Sequence, residues 1–323
     1  MSPAAPKIRR GLAARFAALV TLVLLATAAS LLAKIHWFAE LFTHFAPHYC
    51  AISVLSALAL WLCGAPRWAL VAMALALWNG YPVAAALIQS GYAAYTGPGA
   101  RLTVFHYNAG LRLAEPTRIV DHLLREDIDV AVLIEATPAL EHALDRLKEK
   151  FPHQIRHLEE SPFGIAAVSR HAFAAASVSR EPDGHPHLEI MLRLPERERP
   201  IALYAIHPPP PVSRETAMAR NTKLAYIARV AAANPGASPI VVGDFNLTPW
   251  SPYFREFVVS SGLRDLRTPH RVENTWPVTF GRAWFGLALD HSFAHPSLQP
   301  VRRTIGPDLG SDHLPVTVTV AYR

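Results

Sequence analysis

From Phe16 to Ala33 the chain reads FAALVTLVLLATAASLLA, 18 consecutive positions without a charge. At about 1.5 Å of rise per residue, a helix of that length reaches the lower bound for crossing a bilayer. A second apolar run extends from about Tyr49 to Cys63 and a third from Trp68 to about Ile88, separated by Gly64, Ala65, Pro66 and Arg67. The second is short for a span. Trp37, Tyr49, Trp61, Trp68 and Tyr92 fall near the ends of the runs, where amphipathic rings favour the membrane interface. A cleaved signal peptide also opens with basic residues and an apolar stretch, but its apolar part is usually shorter, and here two more runs follow. The same length argues against a buried helical hairpin of a water-soluble protein. Residues 1–92 therefore read as a membrane module of about three transmembrane helices in the lipid bilayer. A linker over 93–100 is marked by Gly97 and Pro98, and a second domain occupies 101–323.

Charge divides along the same line. Lys7, Arg9, Arg10, Arg15, Lys34 and Arg67 face Glu40 alone in the first hundred residues, a net of +5, so that 25 basic and 24 acidic groups remain for the other 223, a net of +1. The overall +6 is thus no nucleic-acid footprint, because the excess lies outside the larger domain. It reports topology instead. Four basic residues precede the first run and Arg67 lies between the second and third, so positive-inside bias puts the N-terminus in the cytoplasm. With three crossings, residue 100 onward lies outside, which in a bacterium means an inner-membrane, multi-pass protein with its larger domain in the periplasm or at the cell exterior. If the second run does not cross, that domain faces the cytoplasm. Cys50 and Cys63 are the two cysteines, so residues 101–323 hold neither a disulfide nor a cysteine zinc site.

In the C-terminal part, β-formers or continuous apolar runs predict strands over 102–107, 129–134, 164–169, 187–194, 201–206, 240–242, 291–293 and 316–321. Helices are predicted over 116–125, 139–150 and 213–233. Strands and helices alternate, and the strands are too many for one simple parallel sheet, so the expected fold is α/β with two β-sheets flanked by helices, a four-layer sandwich.

The apolar strands repeatedly end in polar groups: VFHYN at Asn108, VAVLIE at Glu135, LYAIH at His207, VVGDFN at Asp244 and Asn246, and GSDH at Asp312 and His313. Functional residues in layered α/β folds gather at strand ends, so separate segments of this kind can share one pocket. Carboxylates with amides and histidines make an oxygen-rich site suited to Mg²⁺ or Mn²⁺ rather than zinc.

These segments resemble the endonuclease/exonuclease/phosphatase superfamily, which includes deoxyribonuclease I, exonuclease III-type repair nucleases, neutral sphingomyelinases and inositol polyphosphate 5-phosphatases. The resemblance covers residues 101–323 and is most specific at Gly243-Asp244-Phe245-Asn246 and at Gly310-Ser311-Asp312-His313-Leu314-Pro315. It implies that Glu135 ligates a divalent metal, with Asn108 and Asp312 in or near its shell. Asp244 would orient or deprotonate the attacking water, Asn246 would hold that water or a phosphate oxygen, and His313, aligned by Asp290, would contact the scissile phosphate. His207 would contact phosphate or assist the leaving group. Gly110 stands where some repair nucleases carry an acid, which favours one metal over two. Asp265 is an alternative to Asp290 as the partner of His313.

The expected activity is a membrane-anchored, metal-dependent phosphoesterase acting on a phosphodiester or phosphomonoester, with phospholipid and nucleic acid as candidate substrates and no protein partner called for. Arg264, Arg267, Arg271, Arg302 and Arg303 are the residues that could form a local basic patch for a nucleic acid. A membrane-tethered binding or scaffold module of the same fold is the other class, and the filling of nearly every expected catalytic position speaks against it. A transporter is disfavoured because the apolar runs carry no internal charge.

Overall fold

The computed structural model describes residues 4–89, 94–110, 115–195, 197–279, 283 and 285–322. Tyr92 and part of the expected linker lie outside these. The chain divides into two compact units, Met1–Gln89 with the short segments Val212–Arg214 and Pro249–Pro252, and the remainder from Ser90 onward.

In the first unit, α1 (Ala4–Ser30) is followed by α2 (Trp37–Leu41), a single 3-10 turn (Phe42–Phe45), α3 (Ala46–Leu62) and α4 (Pro66–Gln89). Three stretches, Lys7–Ser30, Trp37–Leu62 and Pro66–Ile88, are long and apolar enough to cross a membrane. The middle one starts twelve residues before the apolar run read from the sequence at Tyr49. Its earlier turns carry Glu40 and His44, which break the hydrophobic pattern but are both buried. His36 caps the start, its Nδ1 accepting from the Phe38 N–H at 3.2 Å. Leu22, Leu25, Leu58, Leu70 and Leu77 are exposed, the reverse of a water-soluble bundle. Between α1 and α4, the buried Asn79 Nδ2 donates to Thr27 Oγ1 at 3.0 Å, the kind of polar contact that holds helices together in lipid.

The second unit begins with β1 (Ala100–Asn108), α5 (Pro116–Arg125), β2 (Val130–Ile134), a 3-10 turn at Pro138–Leu140 and α6 (Glu141–Asp145). Strands β3 (His153–His157), β4 (Ile165–Ser169), β5 (Phe173–Ser179), β6 (His187–Leu192) and β7 (Ile201–Ile206) lead to α7 (Arg214–Ala233). The chain ends with β8 (Ile240–Asp244), α8 (Pro252–Ser261), β9 (Arg264–Asp265), β10 (Asp290–Ala294), β11 (Gln299–Ile305) and β12 (Val316–Tyr322). Helix α6 is shorter than the twelve residues expected, because the Gln154 side-chain amide takes the Leu144 carbonyl that a continuing helix would offer to residue 148.

Two six-stranded mixed sheets result, ordered β11-β12-β1-β2-β4-β3 and β5-β6-β7-β8-β10-β9. Alternation along each strand builds the layers. Leu102, Val104, Val130, Val132, Leu203 and Val242 meet between the sheets. Phe105, Tyr107, Ala131 and Leu133 turn outward to pack with Ile119 and Leu123 of α5 and Leu144 of α6. Tyr204, Val241 and Phe293 pack with Leu224 and Ile227 of α7 and Phe257 of α8. This is the four-layer α/β sandwich, two sheets flanked by helices.

Candidate active site at the strand ends

The same alternation aims the polar residues. On β1, Leu102 and Val104 face the inter-sheet core, and Asn108 keeps their parity at the end of the strand. His207 follows Leu203 and Ala205, and Asp244 follows Ile240 and Val242, in the same way, while Asp290 shares its side with Ala294. Register completes the placement: Asn108 pairs with Ile134 in parallel, Ile206 with Gly243 in parallel, and Asp244 with Asp290 in antiparallel. Four polar side chains thereby extend the inward face past the last apolar layer.

Glu135 is out of parity, since Ile134 already faces inward. Its φ of +55°, left-handed and unusual for a non-glycine residue, breaks the alternation, and its carboxylate meets the others. Gly243 is required next to Asp244: at φ +143°, a Cβ there would overlap the Ile206 carbonyl oxygen of the adjacent strand.

Asn108 links the two sheets. Its Nδ2 donates to Glu135 Oε1 at 3.0 Å and to Asp244 Oδ2 at 3.2 Å, and its Oδ1 accepts from Gly110 N at 3.0 Å. His207 Nδ1 donates to the Pro162 carbonyl at 3.0 Å, which turns Nε2 toward Glu135 Oε1 at 3.8 Å and Asp244 Oδ2 at 3.7 Å. His313 Nδ1 donates to Asp290 Oδ2 at 2.8 Å, and its Nε2 lies 3.6 Å from Asp244 Oδ2. Asp290, not Asp265, is therefore the partner of His313; Asp265 binds the Arg267 guanidinium.

Burial alone would push the His313 pKa down, but the Asp290 and Asp244 carboxylates overcome it and hold the imidazolium up at about 9. Burial raises Asp244, opposed by the His313 charge. Burial also disfavours the Asp290 carboxylate, yet His313 overrides it and Asp290 stays below the usual range. Ligand atoms of Asp244, Asp290 and His313 lie within 4.8 Å of one another, close enough to share one cation. Such a cation would have to displace the proton that the two carboxylates favour on His313, so the trio is first an ion cluster in which His313 is hydrogen-bonded to Asp290 and lies 3.6 Å from Asp244.

Asp312 stands apart from that trio. Its Oδ2 accepts from Trp276 Nε1 at 2.8 Å and its Oδ1 from Ser311 Oγ at 3.3 Å. Asn246 has a φ of +50°; its N–H donates to Asp244 Oδ1 at 2.8 Å and its Nδ2 to the Pro208 carbonyl at 3.0 Å. Because a carbonyl only accepts, Nδ2 is the donor in that contact, and Asn246 keeps Oδ1 as an acceptor together with the second Nδ2 hydrogen. The expected site residues thus divide into one connected group (Asn108, Glu135, His207, Asp244, Asn246, Asp290 and His313) and Asp312, which is tied to Trp276.

The sequence reading passed over Arg220, whose guanidinium donates to the Asn246 carbonyl at 3.1 Å. A signal was present, since Arg220 falls on the i, i+3/i+4 stripe of Ala217, Leu224, Ile227 and Ala231 that buries α7. The suggested basic patch does not form as drawn: Arg267 and Arg303 are buried and paired with Asp265 and Glu273.

Comparison with known proteins agrees with this architecture. No curated protein matches the chain. Among solved structures, an endonuclease/exonuclease/phosphatase family protein from Bacteroides thetaiotaomicron is 18% identical with a TM-score of 0.52, covering 70% of this chain and 100% of that one. Sphingomyelinase C from Streptomyces griseocarneus is 15% identical (TM-score 0.53; 69% and 99% covered), and the human nocturnin catalytic domain with bound sulfate is 16% identical (TM-score 0.53; 69% and 95% covered). At such identities these likenesses speak to fold alone. The sequence profile of the Endonuclease/Exonuclease/phosphatase family spans residues 105–313, from inside β1 to His313, and the chain belongs to that family.

Proposed function

We propose that the chain is a membrane-anchored, divalent-metal-dependent phosphoesterase that hydrolyses a phosphodiester or phosphomonoester. The observation that supports this most is the linking of Glu135, Asp244 and Asp290 through Asn108, His207 and His313 in one largely buried cluster. Carboxylate and amide oxygens, with no thiolate anywhere in residues 101–323, suit a hard cation. Glu135 would be the principal ligand of Mg²⁺ or Mn²⁺, with Asn108 in its shell and Asp312, tied to Trp276, near it. The ion would supply charge neutralisation at the non-bridging phosphate oxygens.

The chain's own groups do the rest. Asp244, whose proton affinity burial raises, accepts a proton from the attacking water, and Asn246 Oδ1 orients that water. The water oxygen bonds to phosphorus as the ester P–O bond breaks, and the leaving oxygen takes its proton from solvent, while the proton gained by Asp244 is returned to solvent. His313 donates from Nε2 to a phosphate oxygen while Asp290 holds its other nitrogen, and His207 Nε2 faces the phosphate or the leaving oxygen. The basic residues around the first helix support an orientation with the N-terminus in the cytoplasm and residues 101–323 outside it.

Hydrolysis of bis(p-nitrophenyl) phosphate by the purified full chain with Mg²⁺ or Mn²⁺ is the test. Chelation should abolish it and Asp244→Ala should lower kcat by about a thousandfold or more; insensitivity to both would sink the mechanism. Phospholipid is the favoured substrate class, because a net of +1 over 101–323 and the internal pairing of Arg267 and Arg303 leave little for a basic groove. Hydrolysis of plasmid DNA or RNA but of no phospholipid vesicle would reject that preference.

A further inference from the structure

Helix α7 carries two basic residues that are completely buried, Arg220 at 0% and Lys223 at 1% exposure. Each is costly to bury unless its hydrogen-bonding groups are met, and the two are met differently. Lys223 Nζ donates to the Glu181 and His185 carbonyls at 2.6 and 2.7 Å and pairs with Asp183 Oδ1 at 2.8 Å. These contacts staple the loop before β6. Arg220 reaches the catalytic turn: Nη1 donates to the Asn246 carbonyl at 3.1 Å, and Nε and Nη2 converge on Asn221 Oδ1 at 3.1 and 2.9 Å. Its guanidinium also lies 5.6 Å from the Tyr253 ring centre.

Asn246 is where this matters. A left-handed φ of +50° at a residue with a Cβ is disfavoured and persists only where its surroundings over-determine it. Three contacts do so: Asp244 Oδ1 takes its N–H, the Pro208 carbonyl takes its Nδ2, and Arg220 takes its main-chain oxygen. Leu247, which follows, is packed in the core and its carbonyl accepts from His291 Nε2. The Arg220 contact adds a direct hold on the Asn246 carbonyl itself, and because the guanidinium is held by Asn221, it does so from a rigid support. With its N–H, its carbonyl and one Nδ2 hydrogen committed, the Asn246 side chain is held with Oδ1 as its acceptor.

We infer that Arg220 is a positioning residue for the proposed reaction: it locks the left-handed Asn246 turn so that Asn246 offers its Oδ1 as a fixed acceptor beside Asp244. This rests on the phosphoesterase reading above and goes beyond it in assigning to the far side of the second sheet the setting of the water-orienting atom. In this role Asn246 acts through Oδ1, as an acceptor toward a water proton. A turn held this way should affect the rate of the chemical step and leave substrate affinity nearly unchanged.

Arg220→Met and Arg220→Lys are compared with Lys223→Met, which removes a buried cation from the same helix without touching the turn. The full chain is labelled with ¹⁵N-asparagine, and its six asparagines make the Asn246 side-chain amide resonance assignable by substitution. Arg220→Met should shift that resonance and lower kcat on bis(p-nitrophenyl) phosphate at least tenfold with KM within twofold. Arg220→Lys, which can still donate to one carbonyl, should fall between it and the parent. Lys223→Met should lower the melting temperature but leave kcat within twofold. An unmoved Asn246 resonance in Arg220→Met, or an equal loss of kcat in Lys223→Met, would overturn the inference. If Arg220→Met does not fold, Arg220→Lys against Lys223→Met decides by the same two readouts. Should the parent chain hydrolyse nothing, the phosphoesterase reading fails, while the resonance still tests the Arg220 lock.

Discussion

Asn108, His207 and Asp244 sit in the site because each continues the inward parity of an apolar strand, and that parity can be counted in the sequence. Glu135 cannot be placed that way: counting from Val130 and Val132 sends it toward α5, and only its left-handed backbone returns it to the cluster. The sequence points to Asp290 as the partner of His313 with Asp265 as the alternative, and the antiparallel register of Asp290 with Asp244 and the 2.8 Å contact to His313 decide for Asp290. Asp290→Asn removes the charge that holds His313 protonated to about pH 9. The alkaline limb of the rate profile should therefore move from near pH 9 to lower pH, with kcat reduced by about a hundredfold at its optimum, as a kcat–pH titration would register. His291 behaves oppositely. Burial among the Phe245, Phe254 and Phe293 rings pulls its pKa down to about 4, while its Nε2 donates to the Leu247 carbonyl at 2.9 Å. Neutral in the folded chain, it takes up a proton on unfolding below about pH 6.5, so stability is fully present above that pH and declines toward pH 4. Thermal melts should show a lower Tm at pH 5 than at pH 7.5, and His291→Gln should flatten the difference.

At the level of elements, the sequence reading found β1, β2, β4, β6, β7, β8, β10 and β12 and passed over β3, β5, β9 and β11, which are the four edges of the two sheets. The division is physical. Interior strands are covered on both faces and read as apolar runs such as VAVLI, whereas edge strands carry the polar or weakly β-forming residues that discourage pairing with other chains. His153–His157 reads HQIRH, Phe173–Ser179 reads FAAASVS and Gln299–Ile305 reads QPVRRTI, none of them distinguishable from loop by hydrophobicity. The candidate residues were nonetheless visible as polar groups flanking interior strands: Asn108, Glu135, His207 and Asp244 lie at or just past the ends of β1, β2, β7 and β8, and Asp290 opens β10. Between two of those strands, Gly243→Ala would press a methyl group onto the Ile206 carbonyl, forcing β7 and β8 apart beside His207 and Asp244. The variant should lose about 3 kcal/mol or more of stability, seen as a large fall in Tm or failure to accumulate, together with activity.

For the whole molecule, a hydrophobic and basic average conceals an apolar helical part with a net of +5 over residues 1–100 and an almost neutral remainder of +1 over 101–323. Both cysteines, Cys50 and Cys63, fall in the membrane module, so one thiol added to the catalytic unit reports its side of the membrane. Val259→Cys, at a position 76% exposed on α8, should react with a membrane-impermeant maleimide in intact spheroplasts; labelling only after lysis would reverse the proposed orientation. The strand that follows the linker adds a mechanical consequence. β1 is central in its sheet, paired over residues 100–106 with β12 on one side and over 104–108 with β2 on the other, and Asn108 lies at its far end, about 27 Å from Ala100 over eight rises. Were the chain anchored as proposed, tension arriving from its N-terminal side would run along the strand and load the β12 ladder first, its bonds together in shear instead of singly. The β2 ladder and Asn108 beyond it would be reached last, so a pull on the anchor would be taken up before the pocket.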